Sequence, residues 1–155
     1  MNAFNDLMAF QKDTEALAQV AGRLGWDQET VMPAAAAPQR GDEMAAMEKV
    51  LHARRIDPKI AEWLDAIDVD ALDAVGVAQV REIRRSYDRT SKIPAELAAE
   101  IARVTSMSQG TWAKARAAED VAAFLPALDE VVRLKREEGQ ALAQGGDVYD
   151  AMLDD

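Results

Sequence analysis

An all-α fold is what this chain predicts, and three observations carry that expectation. Apolar residues return at steps of three, four and seven along nearly every segment, the repeat of one helix face. Runs that alternate apolar and polar residues are missing, as are hairpin signals such as Asn-Gly. Alanine supplies much of the 49% hydrophobic content while aromatics reach only 5%, a balance that favours helices packed close together.

The first helix is read from Phe4, Leu7, Met8, Leu17, Val20 and Leu24, with Gly22 and Gly25 weakening its last turns and Pro33 preventing continuation past Met32. Ala34 to Pro38 reads as a connector. A second helix turns Met44, Met47, Val50 and Leu51 inward and Arg40, Glu43 and Glu48 outward. Asp57-Pro58 pairs a capping acceptor with a proline at the first helical position, and opens a short helix carrying Ile60, Trp63, Leu64 and Ile67. Asp68 or Asp70 is expected to cap a fourth helix whose buried stripe is Leu72, Val75, Val80, Ile83 and Tyr87.

Lys92-Ile93-Pro94 breaks the chain before a fifth helix through Leu97, Ile101, Val104, Ser108, Trp112 and Ala115. Asp120 is expected to cap a sixth, with Pro126 near its opening and Phe124, Leu128, Val131, Val132 and Leu142 along it; Gly145-Gly146 ends it. The expected architecture is a bundle of about six helices forming one domain over residues 1–155.

Charge and composition exclude several partners. With 28 acidic against 18 basic residues the formal charge is −10, which repels a phosphate backbone or an anionic bilayer, so neither nucleic acid nor membrane is an expected partner. No apolar run approaches the roughly 18 residues of a membrane span. The first residues lack the basic and apolar regions of a secretory signal. Cysteine is absent, which removes disulfides and thiolate metal sites and fits a cytoplasmic location.

The least generic stretch is Trp26-Asp27-Gln28-Glu29-Thr30-Val31-Met32-Pro33, because no rule of helix or turn formation demands it. It resembles a motif near the start of the carboxypeptidase Taq family of zinc metallocarboxypeptidases. Further segments resemble that family in the same order: Leu51-His52, Asp57-Pro58-Lys59-Ile60, Arg81 through Arg89 leading to Lys92-Ile93-Pro94-Ala95-Glu96-Leu97, and Trp112 to Arg116 with Asp120, Phe124, Pro126 and Leu128. Tyr149-Asp150-Ala151-Met152-Leu153-Asp154 falls where the family carries on. Val121 and Ala53 depart from the family pattern, where an aromatic and an acidic residue are usual.

The resemblance implies a mostly helical metallopeptidase with a deep groove. Zinc there is held by two histidines of an H-E-x-x-H helix and a further glutamate, while the motif's own glutamate is the general base. It also implies that the N-terminal helices wall or cover the groove, and that members are homodimers. None of the zinc machinery maps onto this chain, which has one histidine where a catalytic zinc takes three protein ligands and an open position. We therefore expect no catalytic or metal residues here. Zinc or another divalent metal, and the peptide substrate, would be met only together with the remainder of a longer polypeptide. Alone, the chain should be inactive.

Each candidate position has a plainer alternative. Trp26, Asp27, Gln28 and Glu29 could line the groove, but a helix-end network of packing and hydrogen bonds is the commoner use of such residues. Arg81, Arg85 and Arg89 share a helix stripe and could hold a peptide carboxylate, yet the acidic residues nearby, Glu82 and Asp88 among them, favour inter-helix ion pairs instead. His52 follows Glu48 at i+4 but has no second imidazole, so a solvated or hydrogen-bonded ring is expected. Met44, Met47, Met107, Trp63 and Trp112 read as core or interface filling. Thr105-Ser106-Met107-Ser108 has no partnered histidine to activate a hydroxyl.

Two functions follow. One is the N-terminal, groove-shaping part of a metallocarboxypeptidase that releases C-terminal amino acids. The other is a stand-alone, non-catalytic helical interaction module of the same descent. A carboxylate-bridged di-metal bundle is set aside because it needs paired Glu-x-x-His motifs.

Overall fold

Residues 2–153 are described by a computed structural model. Among them every regular element is helical: α1 (Ala3–Thr30), α2 (Ala37–Arg55), α3 (Pro58–Ala66), α4 (Ala74–Thr90), α5 (Ala95–Ala117), α6 (Val121–Ala143) and α7 (Val148–Leu153). Short 3₁₀ turns cover Ala34–Ala36 and Val69–Ala71. Asp154 and Asp155, the last positions of the family-like ending, lie outside the described residues.

Two packing centres organise these helices. At one end Leu7, Ile60, Leu64 and Val80 are buried together, walled by Phe4, Phe10, Trp63, Ile83 and Tyr87, so α1, α3 and α4 share a core. Phe10 and Trp63 meet at 5.5 Å in a tilted pair. The Arg54 guanidinium lies 4.2 Å over the Phe10 ring and donates to Thr14 Oγ1, which ties α2 to the same corner. At the other centre α2 packs on α5 and α5 on α6, burying Leu51, Ala99, Val104 and Leu134. Gly41 makes the α2–α5 approach close: a Cβ there would sit 3.0 Å from Met107 Cγ.

Capping places most boundaries. Asn2, Asp57 and Asp120 accept from the backbone N–H groups of Phe4, Lys59 and Ala123. Gln144 and Gly145 take positive φ, at 47° and 92°, and stop α6. The cap of α4 differs from expectation: Asp73, rather than Asp68 or Asp70, accepts from Gly76 N at 2.8 Å. Asp68 instead precedes the 3₁₀ turn.

Several predicted orientations are reversed. Arg40, expected outward, is buried at 8% exposure, while Val50, expected inward, is 48% exposed. The inward face of α2 runs through Gly41, Met44, Leu51 and His52, and Val50 falls off it. Val75 is also exposed, because Leu72 folds over Gly76 and the buried register becomes Gly76, Val80, Ile83, Tyr87. Trp112, Leu128 and Val132 are each roughly two-fifths to half exposed rather than filled in. The Ala34–Pro38 connector is partly helical, since Ala37 already opens α2 with Pro38 in its first turn. Beyond Gly146 lies an unanticipated helix, α7. It seats against α6 at Gly139, where a Cβ would come within 2.7 Å of Val148 Cγ1.

Candidate functional site

The glycines at 22 and 25 ought to fray the end of α1, yet the helix runs through both to Thr30. Neighbouring elements hold it. Arg40 reaches back from the first turn of α2, donates to Leu24 O, and pairs with Asp27 Oδ2 at 2.6 Å and Glu43 Oε2 at 2.9 Å. The two carboxylates stabilise its charge and hold the guanidinium pKa above the ordinary arginine range. Gln28 makes a reciprocal pair with α5: its Nε2 donates to Ser106 O and its Oε1 accepts from Ser106 Oγ, both at 2.7 Å. Thr30 Oγ1 donates to Trp26 O within the helix.

The four motif residues therefore divide. Asp27 accepts from an arginine, as in a helix-end network, and Gln28 joins that network, whereas Trp26 and Glu29, to which such a network would give packing and a hydrogen bond, do not. Trp26 is 64% exposed, and Glu29 is exposed with no side-chain hydrogen bond or ion pair among the described residues. Beside Glu29, but not Trp26, a cavity of about 360 Å³ is lined by Gln28, Glu29, Met32, Met107, Thr111 and Lys114, so it joins the end of α1 to the middle of α5. Arg40 and Ser106 were the participants the sequence hid. Arg40 looked like a solvent-facing charge, and Ser106 lies 78 residues from Gln28 with no spacing rule to join them.

Arg81 and Arg85 lie on the exposed side of α4. Arg81 Nε donates to Glu82 Oε1 at 2.8 Å, and Arg85 approaches Glu82 Oε2 at 3.7 Å, so both ion pairs stay within their own helix. Arg84 makes an inter-helix pair with Asp65 of α3, at 2.9 Å. The cavity beside Glu29 includes neither Arg81 nor Arg85.

His52 is 2% exposed, with Nε2 2.8 Å from Ile93 O and Nδ1 lacking a partner among the described residues. Hydrogen bonding rather than solvation is thus its state, and with a carbonyl as partner Nε2 carries the proton. It lines a cleft of about 480 Å³ with Glu48, Arg55, Ser86, Arg89 and Glu138. Among the described residues no group of three or more His, Asp or Glu is placed to share a metal ion. Nor is any described helix long and apolar enough to cross a membrane.

In sequence and fold the chain is similar to known carboxypeptidases. Thermostable carboxypeptidase 1 of Thermus thermophilus is 37% identical over 98% of this chain, which corresponds to 32% of that protein. The crystal structure of BsuCP superposes with a TM-score of 0.92 at 18% identity, covering 99% of this chain and 31% of the other, a likeness of fold. Trypanosoma cruzi metallocarboxypeptidase 1 superposes with a TM-score of 0.72 at 28% identity, over 99% of this chain and 32% of that one. The chain thus spans about a third of the length of these relatives. Residues 6–155 match the family profile described as carboxypeptidase Taq (M32) metallopeptidase, and the chain belongs to that family.

Proposed function

We propose that this chain is one helical unit, the N-terminal third, of a metal-dependent carboxypeptidase, and that the end of α1 walls the groove that receives the peptide. The observation that carries the reading is the division of labour in Trp26-Asp27-Gln28-Glu29. Arg40 and Ser106 hold Asp27 and Gln28, so the helix end presents Glu29, with no side-chain partner among the described residues, at the edge of a cavity and leaves the Trp26 indole exposed outside that cavity. An exposed indole offers a flat apolar surface for a peptide side chain, and a carboxylate offers an acceptor for peptide N–H groups. Arg81 and Arg85 are proposed as a second, lesser lining set, supported by the exposure of their side chains on α4.

Zinc does not fit the residues of this chain. Its single imidazole is buried, its Nε2 is committed to Ile93 O, and among the described residues no carboxylate pair converges on it. In this reading a divalent metal is held by the part of the family fold that this chain does not span. What these residues contribute is binding, orientation and exclusion of water from the groove.

The test joins this chain to the complementary two thirds of the Thermus thermophilus relative and measures peptide hydrolysis. Trp26→Ala with Glu29→Gln should raise KM several-fold while kcat and the melting midpoint hold, the pattern of lost substrate binding. An unchanged KM refutes the assignment. The 155-residue chain by itself should hydrolyse nothing with added zinc or cobalt, and chelator-sensitive turnover by pure material would refute the reading as a whole.

A further inference from the structure

Cysteine is absent from the chain, so methionine is the sulfur that an oxidant meets. Among the described residues Met107 of α5 is the exposed methionine, at 36%, while Met8, Met32, Met44, Met47 and Met152 are each part-buried. Its thioether is held on two sides. Arg103 Nη1, one turn earlier on α5, donates to Sδ at 3.2 Å in a contact that itself lies at the surface. Gly41 of α2 backs the side chain: a Cβ there would meet Met107 Cγ at 3.0 Å and Sδ at 3.4 Å, so the thioether runs along the α2 backbone. The third neighbour is the cavity beside Glu29, where Met107, Met32 and Pro38 supply apolar wall. The adjacent residue, Ser106, is the one that grips Gln28. A change at this sulfur thus alters the wall of the proposed groove rather than a remote surface.

A peroxide supplies the oxidant, and the step balances. A sulfur lone pair attacks one peroxide oxygen, and the S–O bond forms as the O–O bond breaks. The departing hydroxide takes the proton of the transferred oxygen and leaves as water. Sulfur gives up two electrons and the peroxide takes them. The new oxygen is a stronger acceptor than the thioether, and Arg103 already directs an N–H at the sulfur that carries it. A dithiol reverses the change: the oxygen departs as water and the dithiol becomes a disulfide. The consequence for binding follows from polarity. A thioether offers an apolar peptide group a soft contact, whereas a sulfoxide must shed its hydration before the same group can seat.

We propose that Met107 is a reversible oxidation site for peroxides, and that its sulfoxide weakens peptide binding at the cavity beside Glu29. The second half rests on the functional reading above; the first stands without it. In the 155-residue chain, dilute hydrogen peroxide followed by peptide mapping should modify Met107 several-fold faster than Met8, Met44 and Met47. Equal rates overturn the site. In the protein joined to the complementary two thirds of the Thermus thermophilus relative, the same treatment should raise KM several-fold with kcat held, and a dithiol-dependent sulfoxide reductase should restore it. Met107→Leu, compared with itself before and after peroxide, should show no rise. A rise of the same size in Met107→Leu overturns the assignment. So does an unchanged KM in parent enzyme whose Met107 is oxidised, when Trp26→Ala with Glu29→Gln still raises KM. If neither oxidation nor that double substitution moves KM, the groove reading falls, and fast modification of Met107 still supports the oxidation site.

Discussion

Replacing Arg40 by methionine keeps most of the apolar stem and removes the charge that organises the end of α1. The size of the loss follows from the surroundings. Breaking a wholly buried ion pair costs about 3–5 kcal/mol, and an exposed pair is worth about 0–1 kcal/mol. The Arg40 side chain is 10% exposed, but its partners Asp27 and Glu43 are 37% and 39% exposed and can be rehydrated once it is gone. The Leu24 carbonyl also loses a donor. An intermediate loss of about 2–3 kcal/mol follows, or about 5–10 °C of melting midpoint for a chain of this size. Urea titration by far-ultraviolet circular dichroism measures it. Asp27→Asn should cost less, about 1 kcal/mol, because the amide still offers an acceptor to Arg40. The double variant should fall short of the sum of the singles, as expected for residues in contact. Hydrogen exchange should show residues 24–30 opening first. If Arg40→Met unfolds within about 0.5 kcal/mol of the parent, the network does not hold the helix end and the account of Trp26 and Glu29 loses its basis.

Three further outcomes follow. Ser106→Ala should cost about 1 kcal/mol, and Gln28→Leu somewhat more because it also leaves the buried Ser106 hydroxyl without its acceptor; equal effects of both on urea midpoints would contradict the reciprocal pair. Gly139→Ala should drive Val148 outward and undock α7, seen as faster amide exchange over residues 148–153 and reversed by adding Val148→Ala; unchanged exchange would contradict that packing. Glu100, gripped by Arg103 through contacts of 2.5 and 2.8 Å, has its pKa held below the ordinary carboxylate range, chiefly by that hydrogen bonding. A depressed folded-state pKa contributes stability above the unfolded value and loses it as the pH falls through the folded one. Screening of these part-exposed groups keeps the effect under about 1 kcal/mol. The stability gap between parent and Glu100→Gln should therefore close on acidification below about pH 4. A gap that widens there would reverse the assignment.

Much of the fold was legible in the residue order because helices are local. Periodicity found α1 to α6, and Asp57 and Asp120 marked two of their starts, since a capping side chain reaches only the next two or three backbone N–H groups. Orientation was less legible. Val50 and Val75 have apolar side chains yet point to solvent, because which face of a helix is buried depends on where its neighbours lie. Gly76 took the inward place that Val75 seemed to claim once Leu72 closed over it.

The sequence by itself determined the helical class, the family and the position of the Trp26–Glu29 motif, because these reside in local periodicity and in residue identity. Only the tertiary structure decided what each motif residue does. Arg40 reaches Asp27 across 13 positions and Ser106 reaches Gln28 across 78, and no local rule anticipates either. A polar side chain's role is set by the partner that completes its hydrogen bonds, and that partner comes from how the helices are brought together.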